Sequence, residues 1–180
     1  SLTDIAVGDN NARNYNITTT DENPVTVTGP KTSVGIQPET TTLQTNELET
    51  VDVVVDDLTN GIASYAFDVE IDDPDTATIE NIEVSGTDPG ERFTDVSIAS
   101  DGSSASVKAA VAGHDEGVIA TITLRGHAPE SATLSLSDVA VGTTDADSYI
   151  ITDVESGQIE VTASPTITVG DEAATDMDGD

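Results

Sequence analysis

The chain has 180 residues, with 35 Asp plus Glu against five Lys plus Arg and a formal net charge of −30 at pH 7. That charge repels nucleic acid and anionic membranes and makes both poor partners, with no nucleic acid and no membrane insertion expected; it also opposes compaction unless salt screens it, the Debye length being roughly 3 Å at molar ionic strength. Because apolar residues make up 36% of the chain and fall in periodic runs, the composition describes a folded halophilic domain with a solvated acidic skin, not a disordered acidic tail.

The chain opens on SLTDIAVG, and SLSDVAVG returns at Ser135. The match runs without a gap between residues 1–30 and 135–164, pairing Tyr15 with Tyr149, Ile17-Thr18 with Ile151-Thr152 and Val27-Thr28 with Val161-Thr162. Twelve of the thirty pairs are identical, where chance in this composition gives about three. Within the first copy, Asn16-Ile17-Thr18 is a glycosylation sequon, so Asn16 is a candidate acceptor and points outside the cell.

From Thr32 onward the pattern is that of strands. TSVGIQP is followed by VDVVVDDL and then IASYAFDVEID, which sets Ile62, Ser64, Ala66, Asp68 and Glu70 on one side and Ala63, Tyr65, Phe67, Val69 and Ile71 on the other. Asn60-Gly61 between the last two runs predicts a hairpin turn. TATIENIEV comes next; FTDVSIAS and SASVKAAV then flank Asp101-Gly102, which predicts a second hairpin. GVIATITLRG, SATLSLSDVAV, SYIITDV and GQIEVTAS follow, separated by Gly, Asp, Ser or Pro. No segment carries a sustained 3.6-residue apolar period. The expected fold is all-β, an antiparallel jelly-roll-type sandwich of about nine strands.

The repeat then divides the chain. Residues 32–164 form one complete unit whose last thirty residues are its closing strands, and residues 1–31 are the closing strands of a preceding repeat. A rival account makes residues 1–31 a donor segment that completes a neighbouring subunit's sheet. The chain starts at Ser1 without Met and stops at Asp180, which reads as a segment of something longer. Residues 165–180 have linker character and end on Asp176-Met177-Asp178-Gly179-Asp180. Carboxylates at Asp176, Asp178 and Asp180 are spaced like the first half of a calcium loop, because alternate positions let three oxygens converge on one hard cation. In a chain with 35 acids, an acidic tail without metal is the competing reading.

NGIASYAFDVEIDDP followed by TIENIEV, then GVIATITLRG, SATLSLSDVAVG and DVESGQIEV, resembles the cohesin pattern over residues 32–164. The Asp-x-Asp-Gly-Asp ending is similar to the opening of a dockerin, the partner module of cohesins, and the acidity resembles a haloarchaeal version. Aromatic content, at 3%, is low for the family. The resemblance implies a non-catalytic module, needing no cofactor, that holds dockerin-bearing proteins outside the cell or at its surface. It also implies a binding sheet built partly from residues 63–72, 93–100 and 104–111. Alternation then nominates Ser64, Asp68, Glu70, Asp95, Ser97, Ser106 and Lys108 as outward candidates, Lys108 being one of five cations and mid-strand.

Other functions are poorly supplied. Carboxylate pairs carry no information at this acid density. There is no Cys nucleophile, no Gly-x-Ser-x-Gly, and His114 and His127 lack the spacing that puts two imidazoles on one metal. His114-Asp115-Glu116 reads as a turn before it reads as a metal site. Two alternatives stay open: a carbohydrate-binding sandwich that retains polysaccharide, short of exposed stacking aromatics because Trp is absent and Tyr65 and Phe67 face the apolar side, and a structural spacer or adhesin domain.

Overall fold

The structure, a computed structural model, describes residues 29–86, 93–114 and 117–165. Over that range the chain forms eleven strands: β1 Lys31–Gln37, β2 Thr40–Gln44, β3 Leu48–Val55, β4 Ile62–Ile71, β5 Ala77–Val84, β6 Thr94–Ile98, β7 Ser104–His114, β8 Val118–Gly126, β9 Ser131–Thr143, β10 Ile150–Glu155 and β11 Gly157–Thr162. They make a five-stranded sheet, β10-β1-β3-β8-β5, and a six-stranded sheet, β2-β11-β9-β4-β7-β6. The inward halves of the alternating runs meet between them: Val34, Ile36, Val53, Ile122 and Leu124 from the first sheet, Phe67, Val69, Ile71, Leu134 and Ile159 from the second, all buried. Each such side chain contributes about 1.5–3 kcal/mol by leaving water, so period-2 patterning sets which face each strand turns inward wherever no bulge changes its parity.

The all-β sandwich is as expected, with two refinements. β2 is a strand the hydrophobic pattern misses, because TTTLQ holds a single large apolar residue, Leu43, while Thr41 is the other buried position. Both sheets are also mixed: β1 pairs parallel with β10, and β2 parallel with β11. The opening strand changes sheets between Gln37 and Thr40, and the closing strand does so at Ser156, so the two ends of the module run side by side through both layers.

Two local expectations are corrected. Asn60-Gly61 does not close a hairpin: β3 and β4 lie in opposite sheets, and residues 56–61 cross from one to the other, with the positive φ at Asp57 (54°). Both backbone polar groups of Asn60 are instead held by the Tyr149 hydroxyl, which accepts from Asn60 N at 2.9 Å and donates to Asn60 O. Ile62 does not share the outward side with Ser64; a register shift between Ile62 and Ser64 against both β7 and β9 turns it into the core, fully buried. The second turn is as expected, for β6 and β7 pair antiparallel around Asp101-Gly102 with Gly102 at φ 69°.

Candidate partner-binding face

β4, β7 and β6 are consecutive in the six-stranded sheet, with β9 on the other side of β4. Their inward residues fill the core, so the alternate side chains form the sheet's outer face. Cross-strand register arranges them in rungs. Asp95, Lys108, Ala66 and Ala140 stand in one line, and Ser97, Ser106, Asp68 and Ser137 in the next. Glu70 is opposite Ser104 and Ser135; Ser64 is opposite Ala110 and Gly142. All seven residues named from the sequence therefore fall on one face, with Asp68 and Ser106 half-buried and the other five exposed.

Sequence reasoning missed the apolar part of this face. Phe93 is 62% exposed, the largest such value among the exposed large hydrophobics of the described residues. Its carbonyl accepts from Ala110 N at 2.8 Å, which extends the β6–β7 pairing by one residue and holds the ring beside β7. Phe93, Lys108, Ala66, Ala110, Ala140 and Gly142 line a shallow concavity of about 410 Å³. A second of about 440 Å³ lies among Asp68, Glu70, Ser97, Ser104, Ser106 and Ser137. One half of the face is thus an alanine floor rimmed by a phenyl ring and an ammonium, and the other is hydroxyls and carboxylates. The signal was present: Phe93, Asp95 and Ser97 are alternate residues, so a strand that turns Asp95 outward turns Phe93 outward too.

Strand β9 needs a bulge to join this face. Ser137 and Ala140 are three apart and would point to opposite sides of a regular strand; the register against β4 shifts between Ala66 and Asp68, and Asp138 takes φ 50°. The extra residue restores parity, so Leu136 and Val141 both enter the core while Ser137 and Ala140 both face out.

Elsewhere the polar groups serve the fold. The Tyr65 hydroxyl donates to Ser85 O at 2.8 Å, and burial pushes its phenol above the ordinary range; Tyr65 and Phe67 are core residues, as expected, and offer no stacking platform. A ring nitrogen of His127 meets Thr78 Oγ1 at 2.8 Å, and His114 Nε2 meets Val118 O at 2.8 Å. Among the described residues no group of three or more His, Cys, Asp or Glu side chains is placed to hold a metal ion. No helix there is long and apolar enough to cross a membrane. Asn16, Asp115, Glu116, Asp176, Asp178 and Asp180 lie outside the described residues.

No protein-family model and no curated protein matches the chain. Solved structures do. The chain is similar to the cohesin of a type I cohesin–dockerin complex from Clostridium thermocellum, with a TM-score of 0.65 at 14% identity, over 79% of this chain and 100% of that one. It is similar to a non-cellulosomal cohesin of the archaeon Archaeoglobus fulgidus, with a TM-score of 0.56 at 16% identity over 73% and 91%. It is similar also to the sixth cohesin of scaffoldin B from Acetivibrio cellulolyticus, solved with a mutant dockerin, at 0.61 and 18% over 73% and 99%. The two layers, their strand content and the coverage of entire cohesin modules agree, and the described chain has the cohesin fold.

Proposed function

We propose that the module is a non-catalytic protein–protein interaction domain that captures dockerin-type modules on the outer face of β6, β7, β4 and β9, outside the cell or at the surface of a halophile. The observation that carries this reading is Phe93, a phenyl ring 62% exposed beside the alanine floor of that sheet. Water-exposed aromatic surface over a flat small-residue floor is what a protein partner buries well. Two of the similar structures are of complexes with dockerins. Lys108 adds a direction: it stands mid-strand in an acidic molecule with no ion-pair partner among the described residues, so a carboxylate of the partner completes it. Molar salt abolishes long-range steering, and affinity then comes from shape and desolvated contacts.

The test is titration calorimetry in molar NaCl against the calcium-loaded dockerin modules of the source organism, with and without EDTA. Saturable binding that EDTA abolishes is expected, the calcium ordering the dockerin's loops. Absence of binding, together with retention of the module on insoluble polysaccharide, would replace this reading with the carbohydrate-binding one.

A further inference from the structure

Asn60-Gly61 is the one Asn-Gly pair in the chain, and it lies in the crossover between the two layers. A glycine nitrogen, with no Cβ beside it, is the least shielded nucleophile that a following residue can offer to an asparagine side chain. Among the described residues neither the Asn60 carboxamide nor Gly61 N makes a hydrogen bond, while Gly61 O accepts from Thr144 N at 3.0 Å. Both residues are half-buried, so water reaches them. Asp101-Gly102 offers a similar pair of atoms and is closed to the same chemistry. Gly102 N donates to Ala99 O at 2.9 Å, and the Asp101 carboxylate accepts from Ser103 N at 3.1 Å and Ser103 Oγ at 2.7 Å. Those bonds from Ser103 hold the Asp101 carboxyl below its ordinary range, so it stays ionised, and a carboxylate is a poor electrophile.

We propose that Asn60 is a site of spontaneous deamidation, gated by the Tyr149 hydroxyl, and that the isoaspartate it forms releases the clasp Tyr149 makes on the crossover. Gly61 N gives its proton to water and attacks Asn60 Cγ; the new C–N bond closes a succinimide ring, and the side-chain nitrogen leaves as ammonia. One water then opens the ring. Cleavage at Cγ leaves an aspartate on an ordinary main chain, and cleavage at the α-carbonyl leaves isoaspartate, whose main chain runs through Cγ and is one methylene longer. No atom is oxidised or reduced, and water is the co-reactant. Ring closure requires rotation about the Asn60 Cα–C bond to bring Gly61 N over Cγ. The Tyr149 hydroxyl holds Asn60 N on one side of that bond and Asn60 O on the other, so the reaction draws on the minority of molecules in which the clasp is open. Once the methylene is inserted, the two groups are no longer spaced for one hydroxyl.

The test is to age the 180-residue chain in mildly alkaline molar NaCl, digest it, and locate aspartate and isoaspartate by mass spectrometry and isoaspartyl-specific methylation. Conversion is expected at Asn60, with no isoaspartate at Asp101. Gly61→Ala, which the backbone accepts because Gly61 is not among the positive-φ residues, should slow it roughly tenfold by shielding the nitrogen. Tyr149→Phe, which removes both clasp bonds, should speed it roughly fivefold or more. Asn60→Asp carries the new charge on an unaltered main chain and should melt close to wild type, whereas the isoaspartate fraction of the aged protein should melt lower. Absence of conversion at Asn60 under conditions that convert a free peptide of residues 56–66 would overturn the proposal, as would an unchanged rate in Tyr149→Phe. Equal isoaspartate at Asp101 would assign the chemistry to global unfolding, and an isoaspartate fraction melting with Asn60→Asp would show the clasp intact; either result overturns it too.

Discussion

Replacing Phe93 by alanine separates binding from folding, because the ring is 62% exposed and contributes little to the core. A phenylalanine offers about 200 Å² to burial, so the exposed share is roughly 125 Å², worth about 3 kcal/mol at 25 cal/mol per Å² if a partner covers all of it. Ordering and incomplete coverage take back part of that, and about 2 kcal/mol, near 30-fold in Kd, is the expected loss. Lys108→Glu sets a carboxylate opposite Asp95 and against the partner's own, and should cost a further factor of ten or so. The assay is calorimetry against a cognate dockerin in molar NaCl, with thermal melts of each variant alongside. Thr50→Ala and Glu83→Ala, outward on the five-stranded sheet, serve as controls and should bind as wild type. Undiminished affinity in Phe93→Ala, with the control variants equally unaffected, would refute the assignment of this face.

The fold should melt cooperatively in molar NaCl and at falling temperature as salt approaches 0.1 M, since Arg125–Glu80 at 2.8 Å is the one ion pair among the described residues against a net charge of −30; an unchanged Tm would sink the halophilic reading. Alkali should unfold the module: burial raises the Tyr65 phenol, so the stability held while it is neutral is present below the unfolded value near 10 and is lost as pH rises above it. Tyr65→Phe should flatten that slope in denaturant melts taken across alkaline pH. Gly102→Ala should lower stability by more than 1 kcal/mol, because φ is 69° and the new Cβ would sit 2.7 Å from Thr78 Cβ, in the turn whose Gly102 carbonyl accepts from Ile79 N; a melt equal to wild type would count against it. A combined Asp68→Ala and Lys108→Ala change should weaken capture by roughly tenfold, Lys108 carrying more of it because Asp68 is already half-buried.

The layers of the sandwich were legible because strands half-buried against a single core must alternate, and the long runs at residues 62–71 and 118–126 do so with few breaks. What alternation cannot reveal is a change of parity. Ile62 entered the core through a bulge that no residue type announces, and Ser137 and Ala140 joined one face through another at Asp138. Sheet membership was hidden for a different reason. Asn60-Gly61 has the composition of a hairpin turn, but the segment is held by Tyr149 from 89 residues away, a long-range contact outside any local window. Parallel pairing of β1 with β10 and of β2 with β11 joins opposite ends of the module and was equally out of reach. The polar residues of the candidate face follow from period 2, and so does the Phe93 ring, two residues before Asp95 on the same strand edge.

Strand β9 ties the core to the candidate face. Its phrase LSDVAVG turns Leu136 and Val141 inward to close the sandwich, and through the bulge at Asp138 it turns Ser137 and Ala140 outward onto the face that carries Phe93 and Lys108. Phe93, Asp95 and Lys108 belong to β6, its flank and β7. The face therefore divides its work: a ring of about 3 kcal/mol burial potential is set by one residue at the β6–β7 edge, where discrimination between partners would reside, while β9 supplies a floor of small side chains.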